Sequence, residues 1–400
     1  MRRAIRLRRP LRRAIERGHP WIYDQAVGEV GGAVGDVVDI ADDKGRFATA
    51  FIEPGAPIRA RVLAREPDLD VGAAWAHERA RLAAARRAIA PSLVGTDALR
   101  AIHGENDGMP GLTVDVYAGV AVVVFDGPAA AVFWRTRLDA ALDGVRAGGI
   151  AVNARWVRAV RGDRGDRGAG ARGDDRGGGD AVPDRVAIVE HGARFGVDVR
   201  SGQKTGFFLD MRANRARVAA MARGARVLNL CAYSGGFSVH AGLGGAAHVT
   251  SVDLAAPAVA DAERHWRDNG LASERHQGVT ADAFDFLERA TRTGARWDVV
   301  IADPPSFAPS EAAKPRALAA YQRLARLSLA VTARGGVLVL ASCSSHVSEA
   351  DLRSVLAAAA AEGPRHRPVA VVAAHGADAD HPTIPGFPEG RYLKLLICAT

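Results

Sequence analysis

From about residue 201 onward, short apolar runs alternate with segments of helical period. The runs are ARVLNL, AHVTSV, RHQGV, WDVVIA and GVLVLA, followed by PVAVVA and YLKLLICA. Runs this short and apolar suit strands buried on both faces, as a parallel sheet requires. The intervening segments carry helix start and stop signals. One opens at Pro257, a good first-turn residue, and closes at Asn269-Gly270. Another opens at Ser348, where Asp351 completes a capping-box-like pair. This alternation predicts an α/β fold: a parallel sheet with helices on both faces, finished by the last two runs.

Ligands of such sheets bind beyond the carboxyl ends of the strands. The distinctive residues of this chain fall there. After ARVLNL comes a loop with Asn229, Cys231, Tyr233, Ser234, Gly235, Gly236 and Phe237. Its glycines let backbone approach a ligand closely. It lacks a Walker lysine, which argues against a triphosphate. Asp253 ends the second run, where a carboxylate can accept both hydroxyls of a ribose. Asp282 follows the third, where it can meet an adenine amino group. Together these point to an adenosine with a non-phosphate tail, S-adenosylmethionine. Gly242–Ala247 matches the dinucleotide fingerprint literally, but it sits where a helix should end, so it reads as a helix stop.

Two further loops narrow the chemistry. WDVVIA runs into Asp303-Pro304-Pro305-Ser306-Phe307, and GVLVLA into Ser342-Cys343-Ser344-Ser345-His346. If the two strands are parallel neighbours, a carboxylate, a rigid diproline turn and a thiol share one sheet edge. Proline fixes the main chain and removes a donor, so its carbonyl is presented as an acceptor for an exocyclic amine. That alone would also suit methylation of an amino nitrogen. Cys343 separates the cases. Carbon 5 of cytosine is a poor nucleophile until a thiolate adds at carbon 6. Cys231 and Cys398 read as packing residues.

The first 200 residues are organised differently. Residues 1–70 predict a small β-rich module with a hairpin at Asp43-Lys44-Gly45. Its first strand follows a basic cluster that includes Arg8, Arg9, Arg12 and Arg13, next to Trp21 in Gly18-His19-Pro20-Trp21-Ile22-Tyr23. Guanidinium groups beside aromatic rings suit RNA, where phosphates pair and bases stack. Residues 71–200 predict an α+β domain, with a hairpin turning at Ala118-Gly119 and a helix around VFWRTRLDAAL. His103–Gly108 reads as a structural loop. Residues 161–180 repeat Arg-Gly-Asp with almost no apolar residue, a composition that predicts a disordered insertion.

Four hundred residues suffice for two or three domains, and the net charge of +8 comes mainly from arginine. Such an excess suits a polyanionic partner, although a GC-rich genome would also raise arginine. Three widely spaced cysteines make neither a disulfide framework nor a zinc site, so no metal is expected and a cytoplasmic location is. No apolar stretch approaches the ~20 residues that span a bilayer.

These segments together resemble the class I S-adenosylmethionine-dependent large-subunit rRNA (cytosine-5) methyltransferases of bacteria. The resemblance is carried by Gly18-His19-Pro20-Trp21, His103-Gly104-Glu105, Pro110-Gly111-Leu112, the segment from Gly202 to Asp210, Tyr233–Phe237, Asp303-Pro304-Pro305 and Ser342-Cys343-Ser344. It implies a PUA-like RNA-binding domain over 1–70, a central α+β domain over 71–200, and a Rossmann-like methyltransferase domain over 201–400. It also implies that Lys204, Thr205, Phe207, Asp210 and Arg212 belong to the cofactor site. Cys343 becomes the covalent nucleophile, Asp303 a hydrogen-bonding partner of the base, and the Pro304 carbonyl the acceptor for the cytosine amine. The broader RNA cytosine-5 group carries a second cysteine near the Asp-Pro-Pro turn; this chain does not. Another base must then take the carbon-5 proton, and His346 is the candidate. 23S rRNA is the expected partner, with a homodimer as the expected assembly. Two alternatives stay open: an N-methyltransferase of an RNA base, and an inactive RNA-binding ribosome assembly factor.

Overall fold

The computed structural model describes residues 2–158, 182–362 and 368–400; the 161–180 insertion read above as disordered lies outside them. The chain packs as two compact units. One gathers Met1–Glu190, Gly196–Leu209 and Ala379–Gly390; the other gathers His191–Phe195, Asp210–Asp378 and Arg391–Thr400.

The first unit holds a five-stranded and a four-stranded sheet. Strands Ala4–Arg6, Val37–Asp42, Gly45–Ile52, Ile58–Ala64 and Trp21–Tyr23 lie side by side in that order. The predicted hairpin is present, with Asp42 opposite Gly45. Alternate side chains of this sheet, among them Ile22, Ile40 and Ile52, are buried with Ile15 as its core. The second sheet runs Ala98–His103, Leu112–Tyr117, Val120–Phe125 and Ala154–Val157. The helix predicted around residues 132–142 is in fact two, Pro128–Arg135 and Leu138–Ala147. The break follows from Arg137, whose backbone N–H turns to the Trp134 carbonyl and whose guanidinium donates to the carbonyls of Val71 (2.7 Å) and Phe133 (2.6 Å).

The late segment Ala379–Gly390 is built into this first unit. Asp380 accepts from the Arg100 backbone N–H at 2.9 Å, and its carbonyl accepts from Arg87 at 2.9 Å. Arg87 also pairs with Asp107 at 2.7 Å, both side chains fully buried, so the pair is compensated by surrounding hydrogen bonds. Phe387 meets the Trp21 ring edge-on at 4.7 Å.

The second unit is one seven-stranded sheet: β1 (Arg226–Leu230), β2 (His248–Asp253), β3 (His276–Thr280), β4 (Trp297–Ala302), β5 (Thr332–Ser342), β6 (Ala370–His375) and β7 (Lys394–Ala399). Their spatial order is 3-2-1-4-5-7-6. Strands β1 to β5 pair in parallel, while β7 runs antiparallel to both β5 and β6. Six helices cover it: α1 (Arg212–Met221), α2 (Gly236–Leu243), α3 (Ala256–Asp268), α4 (Ala283–Thr293), α5 (Lys314–Val331) and α6 (Glu349–Glu362). Period-two alternation divides the strands between two cores. Val299 and Ile301 of β4 pack with Val218, Phe237 and Trp266 of α1–α3. Val300 and Ala302 pack with Leu287, Tyr321 and Leu352 of α4–α6. Each fully buried aliphatic side chain contributes roughly 1.5–3 kcal/mol.

The sequence-level helix signals hold. Pro257 lies in the first turn of α3 and Asn269 caps its end. Ser348 and Asp351 bond reciprocally, backbone N–H to side-chain oxygen, at 2.8 and 3.1 Å. Gly244 caps α2, so the fingerprint match at 242–247 is a helix terminus. Strand order reverses between β1 and β4, which places the ligand crevice of this sheet type at the loops that follow them.

Candidate active site

Asn229 is the penultimate residue of β1, and its buried amide donates to Ser238 in α2 at 2.9 Å. It braces the loop from below. The loop itself turns through left-handed backbone at Cys231 (φ 55°), Tyr233 (φ 46°) and Gly235 (φ 80°). Such backbone at two non-glycine residues is costly and marks a tightly determined turn. At Gly235 a Cβ would stand 2.6 Å from the Cβ of Ala262, so only glycine fits against α3. His265 of α3, buried, bonds the Ser234 carbonyl at 2.8 Å. Gly236 and Phe237 open α2, with Phe237 in the core.

Asp253 ends β2. Its Oδ2 accepts from the Tyr233 backbone N–H at 2.8 Å and its Oδ1 from Ala255 at 2.9 Å. A carboxylate offers about four lone-pair sites, so each oxygen keeps capacity for a hydroxyl. Asp282 is exposed and caps α4, its Oδ1 accepting from Phe284 and Asp285. Both aspartates, with Asp303, act electrostatically on Cys231. Burial first, and then these three carboxylates, push its thiol up to about 12. The structure therefore gathers Asp253, Asp282 and Asp303 around the loop after β1. A glycine-tightened loop and acceptor-only side chains fit an adenosine bearing a cationic sulfonium.

The neighbouring loops meet as the sequence predicts. Strands β4 and β5 are parallel partners, with Ala302 opposite Leu340. Pro304 is buried, and its carbonyl oxygen lies 3.9 Å from Cys343 Sγ, a weak S–H···O contact. A hydroxyl network ties the two loops: Ser344 Oγ reaches Ser306 Oγ at 2.9 Å and Tyr321 Oη at 3.3 Å. His346 Nδ1 lies 3.1 Å from Glu311 Oε2.

Other residues assigned by resemblance are engaged in the interior. In the first unit, the Thr205 hydroxyl bonds Asp115 at 2.5 Å and Tyr117 at 2.7 Å. Phe207 is buried, its backbone N–H donating to Tyr117, and the Lys204 ammonium lies over the Phe208 ring at 4.5 Å. In the second unit, buried Asp210 accepts from Tyr392 at 2.7 Å, and Arg212, fully buried, pairs with Asp378 at 3.1 Å. Reasoning from sequence missed Tyr321, His265 and Lys394. For Lys394 a signal existed: one charge inside the apolar run YLKLLICA.

Within the first unit, Arg8, Arg9 and Arg13 are exposed. Arg12 instead donates twice to Asp42, at 2.7 and 2.6 Å, and lies over the Phe47 ring. Its hydrogen bonds hold the Asp42 carboxyl down to about 2. Trp21 is half-buried; its indole N–H donates to Glu105 at 2.9 Å, and that carboxylate also binds Arg61.

An S-adenosylmethionine-dependent methyltransferase family matches residues 178–372, and a PUA-like domain family matches residues 5–65. A ribosomal RNA large subunit methyltransferase of Deinococcus radiodurans is 40% identical over 393 residues, covering 96% of this chain and 93% of that protein. This chain belongs to the ribosomal RNA large subunit methyltransferase family. Another such relative, methyltransferase I of Alteromonas mediterranea, is 33% identical and covers 96% of both chains. Among solved structures, a methyltransferase complexed with SAH has a TM-score of 0.84 at 21% identity over 100% of both chains. The expected fold class, a Rossmann-like methyltransferase with a PUA-like N-terminal domain, is thus established, and S-adenosylmethionine is the cofactor of the family. No helix among the described residues of this methyltransferase is long and apolar enough to cross a membrane.

Proposed function

We propose that this methyltransferase transfers a methyl group to carbon 5 of a cytosine in large-subunit rRNA through a covalent adduct on Cys343. S-adenosylmethionine-dependent methylation of that RNA comes with the family. The choice of atom and the covalent step are the proposal. One observation carries it: Cys343 Sγ and the Pro304 carbonyl lie 3.9 Å apart at the ends of adjacent parallel strands.

Bound S-adenosylmethionine supplies an electrophilic methyl on a sulfonium. Asp253 would hold the ribose hydroxyls, and Asp282 the adenine amino group through Oδ2, because Oδ1 already caps α4. In the segment 204–212, Thr205 and Arg212 would act by fixing main chain, since their polar atoms bond Asp115 and Asp378. The Pro304 carbonyl would accept from the cytosine amine while Asp303 bonds the base. The Cys343 thiolate then adds at carbon 6, forming a C–S bond and moving the electron pair of the 5,6 double bond to carbon 5. Carbon 5 would take the methyl, the methyl–sulfur bond breaking and its electron pair staying on sulfur, which leaves as a neutral thioether. His346, held at Nδ1 by Glu311, accepts the carbon-5 proton at Nε2. The C–S bond breaks, the double bond re-forms, and the thiolate leaves. Extruding the base costs a few kcal/mol, which favours loops or unassembled RNA.

Exposed Arg8, Arg9 and Arg13 are the phosphate contacts in this reading, with Arg12 structural. The second reading, N-methylation of an exocyclic amine, rests on the Asp303-Pro304-Pro305 turn alone. Labelled methyl transfer onto rRNA followed by nucleoside mass spectrometry decides between them. 5-Methylcytidine is expected; an N-methylated nucleoside, or full activity of Cys343→Ser, would overturn the covalent reading.

A further inference from the structure

Lys394 begins β7 at the position directly opposite Ser342 of β5, one residue before the thiol. Its ammonium donates to the Ser344 carbonyl at 2.5 Å, one residue beyond the thiol, and to the Tyr392 carbonyl at 2.8 Å. Lys394 therefore meets the main chain on both sides of Cys343, Ser342 through strand pairing and Ser344 through its ammonium. The residue is 8% exposed, between buried Leu393 and Leu395. A lysine at such a place is costly, because an ammonium loses its hydration there. An apolar side chain of similar length would pack this position without that cost, so the sheet itself does not require the charge.

We propose that the buried ammonium of Lys394 holds Cys343 in its ionised, nucleophilic form, making Lys394 a positioning residue for the methyl-transfer site. The inference rests on the reading of Cys343 as the nucleophile for its purpose, though not for its measurement. The groups facing the ammonium fit the role. Burial lowers its proton affinity to about 8, and Cys343 and Asp351 push it back up. That coupling is reciprocal: a thiolate that favours the ammonium is favoured by it in equal measure. A lysine beside a cysteine is a recognised way to raise the thiolate fraction. Asp351, at the start of α6, is the other charge acting on it, and Lys314 already neutralises it at 2.9 Å. Tyr321 of α5 stays a neutral hydroxyl, its ionisation opposed by burial and its oxygen in reach of Ser344. Ionisation itself releases only the thiol proton to solvent and needs no further reactant.

The test follows iodoacetamide alkylation of Cys343 against pH, in the full chain without cofactor. Peptide mass mapping separates it from Cys231 and Cys398. In Lys394→Met the alkylation midpoint should rise by about one unit or more, slowing modification at neutral pH by about tenfold. Lys394→Arg, which keeps the charge, should stay near the wild-type midpoint. An unchanged midpoint in Lys394→Met overturns the proposal, as do equal shifts in both variants, which would indicate packing alone. Should both variants fail to fold by circular dichroism, the wild type still decides: a Cys343 midpoint below the ordinary ~8.5 supports the proposal, and one at or above it sinks it. These outcomes are independent of methyl transfer. If Cys343→Ser keeps activity while the midpoints shift as stated, the nucleophile reading fails and the thiolate pair stands.

Discussion

Cys231 and Cys343 stand at comparable places, just beyond the carboxyl ends of β1 and β5 in one sheet, yet the charged groups that couple to them differ. Burial and the carboxylates of Asp303, Asp253 and Asp282 push the Cys231 thiol up to about 12. Cys343 instead lies beside a carbonyl acceptor and acts on a buried ammonium. Residue type and place in the fold are the same; burial and three carboxylates oppose ionisation at Cys231, while in our proposal Cys343 has the Lys394 ammonium as its stabilising partner. Sheet geometry supplies the edge, and the loops and the reversed strand β7 assign the chemistry along it.

The comparison breaks most directly by exchanging the sulfurs. Cys343→Ser should lower methyl transfer by on the order of 10³-fold or more while calorimetric binding of S-adenosylmethionine persists. Cys231→Ser should stay within a few-fold of wild type; equal losses in both would erase the distinction. A smaller effect is expected at His346. Replacing it with Gln should slow turnover by about 10²-fold and leave a protein–RNA adduct visible on denaturing gels, because the carbon-5 proton would have no acceptor. Absence of any adduct would remove His346 from that role. Asp253→Asn sharpens the other side. It should weaken cofactor binding by about tenfold, the usual scale for one hydrogen bond to a charged group, and make Cys231 easier to alkylate. An unchanged Cys231 would mean that burial alone sets that thiol.

The smallest effect concerns acid. On the Cys231 side, His276 of β3 is kept neutral by burial, its proton affinity lowered from 6.5 to about 4. The unfolded chain then binds more protons than the folded chain within that window, so stability is full above 6.5 and falls as pH drops toward 4. On the Cys343 side, burial opposes ionisation of Asp351, but bonds from Ser348 and Lys314 prevail and hold it at about 2. Its contribution is full above 3.8 and is lost only as pH falls toward 2. Urea unfolding against pH should show the first slope in the wild type and lose it in His276→Gln. A slope that persists in that variant would assign the acid sensitivity elsewhere.

Much of this was legible in the sequence, for a definite reason. Buried parallel strands require unbroken apolar runs, and WDVVIA and GVLVLA announced both themselves and the polar loops that end them. Capping is local, so Ser348 and Asp351 could be read from spacing three apart. Interior polar partners could not. Nothing near Thr205 in sequence indicates that its hydroxyl meets Asp115 and Tyr117, or that Arg212 meets Asp378. Those bonds join residues 88 to 166 positions apart. The break at Arg137 escaped for a similar reason, since the Val71 carbonyl that it caps lies 66 positions away.

The return of Ala379–Gly390 to the first unit bears on how this protein can be divided. Both flanking strands, β6 and β7, belong to the other unit. A recombinant fragment stopping at Glu190 would lack Asp380, which bonds Arg100 and Arg87, and Phe387, which covers Trp21. Its Trp21 face would be newly wetted and one buried arginine short of an acceptor. The first unit is therefore not a detachable module: a chimera that swaps the second unit must carry these twelve residues over as well, or lose the Trp21 surface it meant to keep.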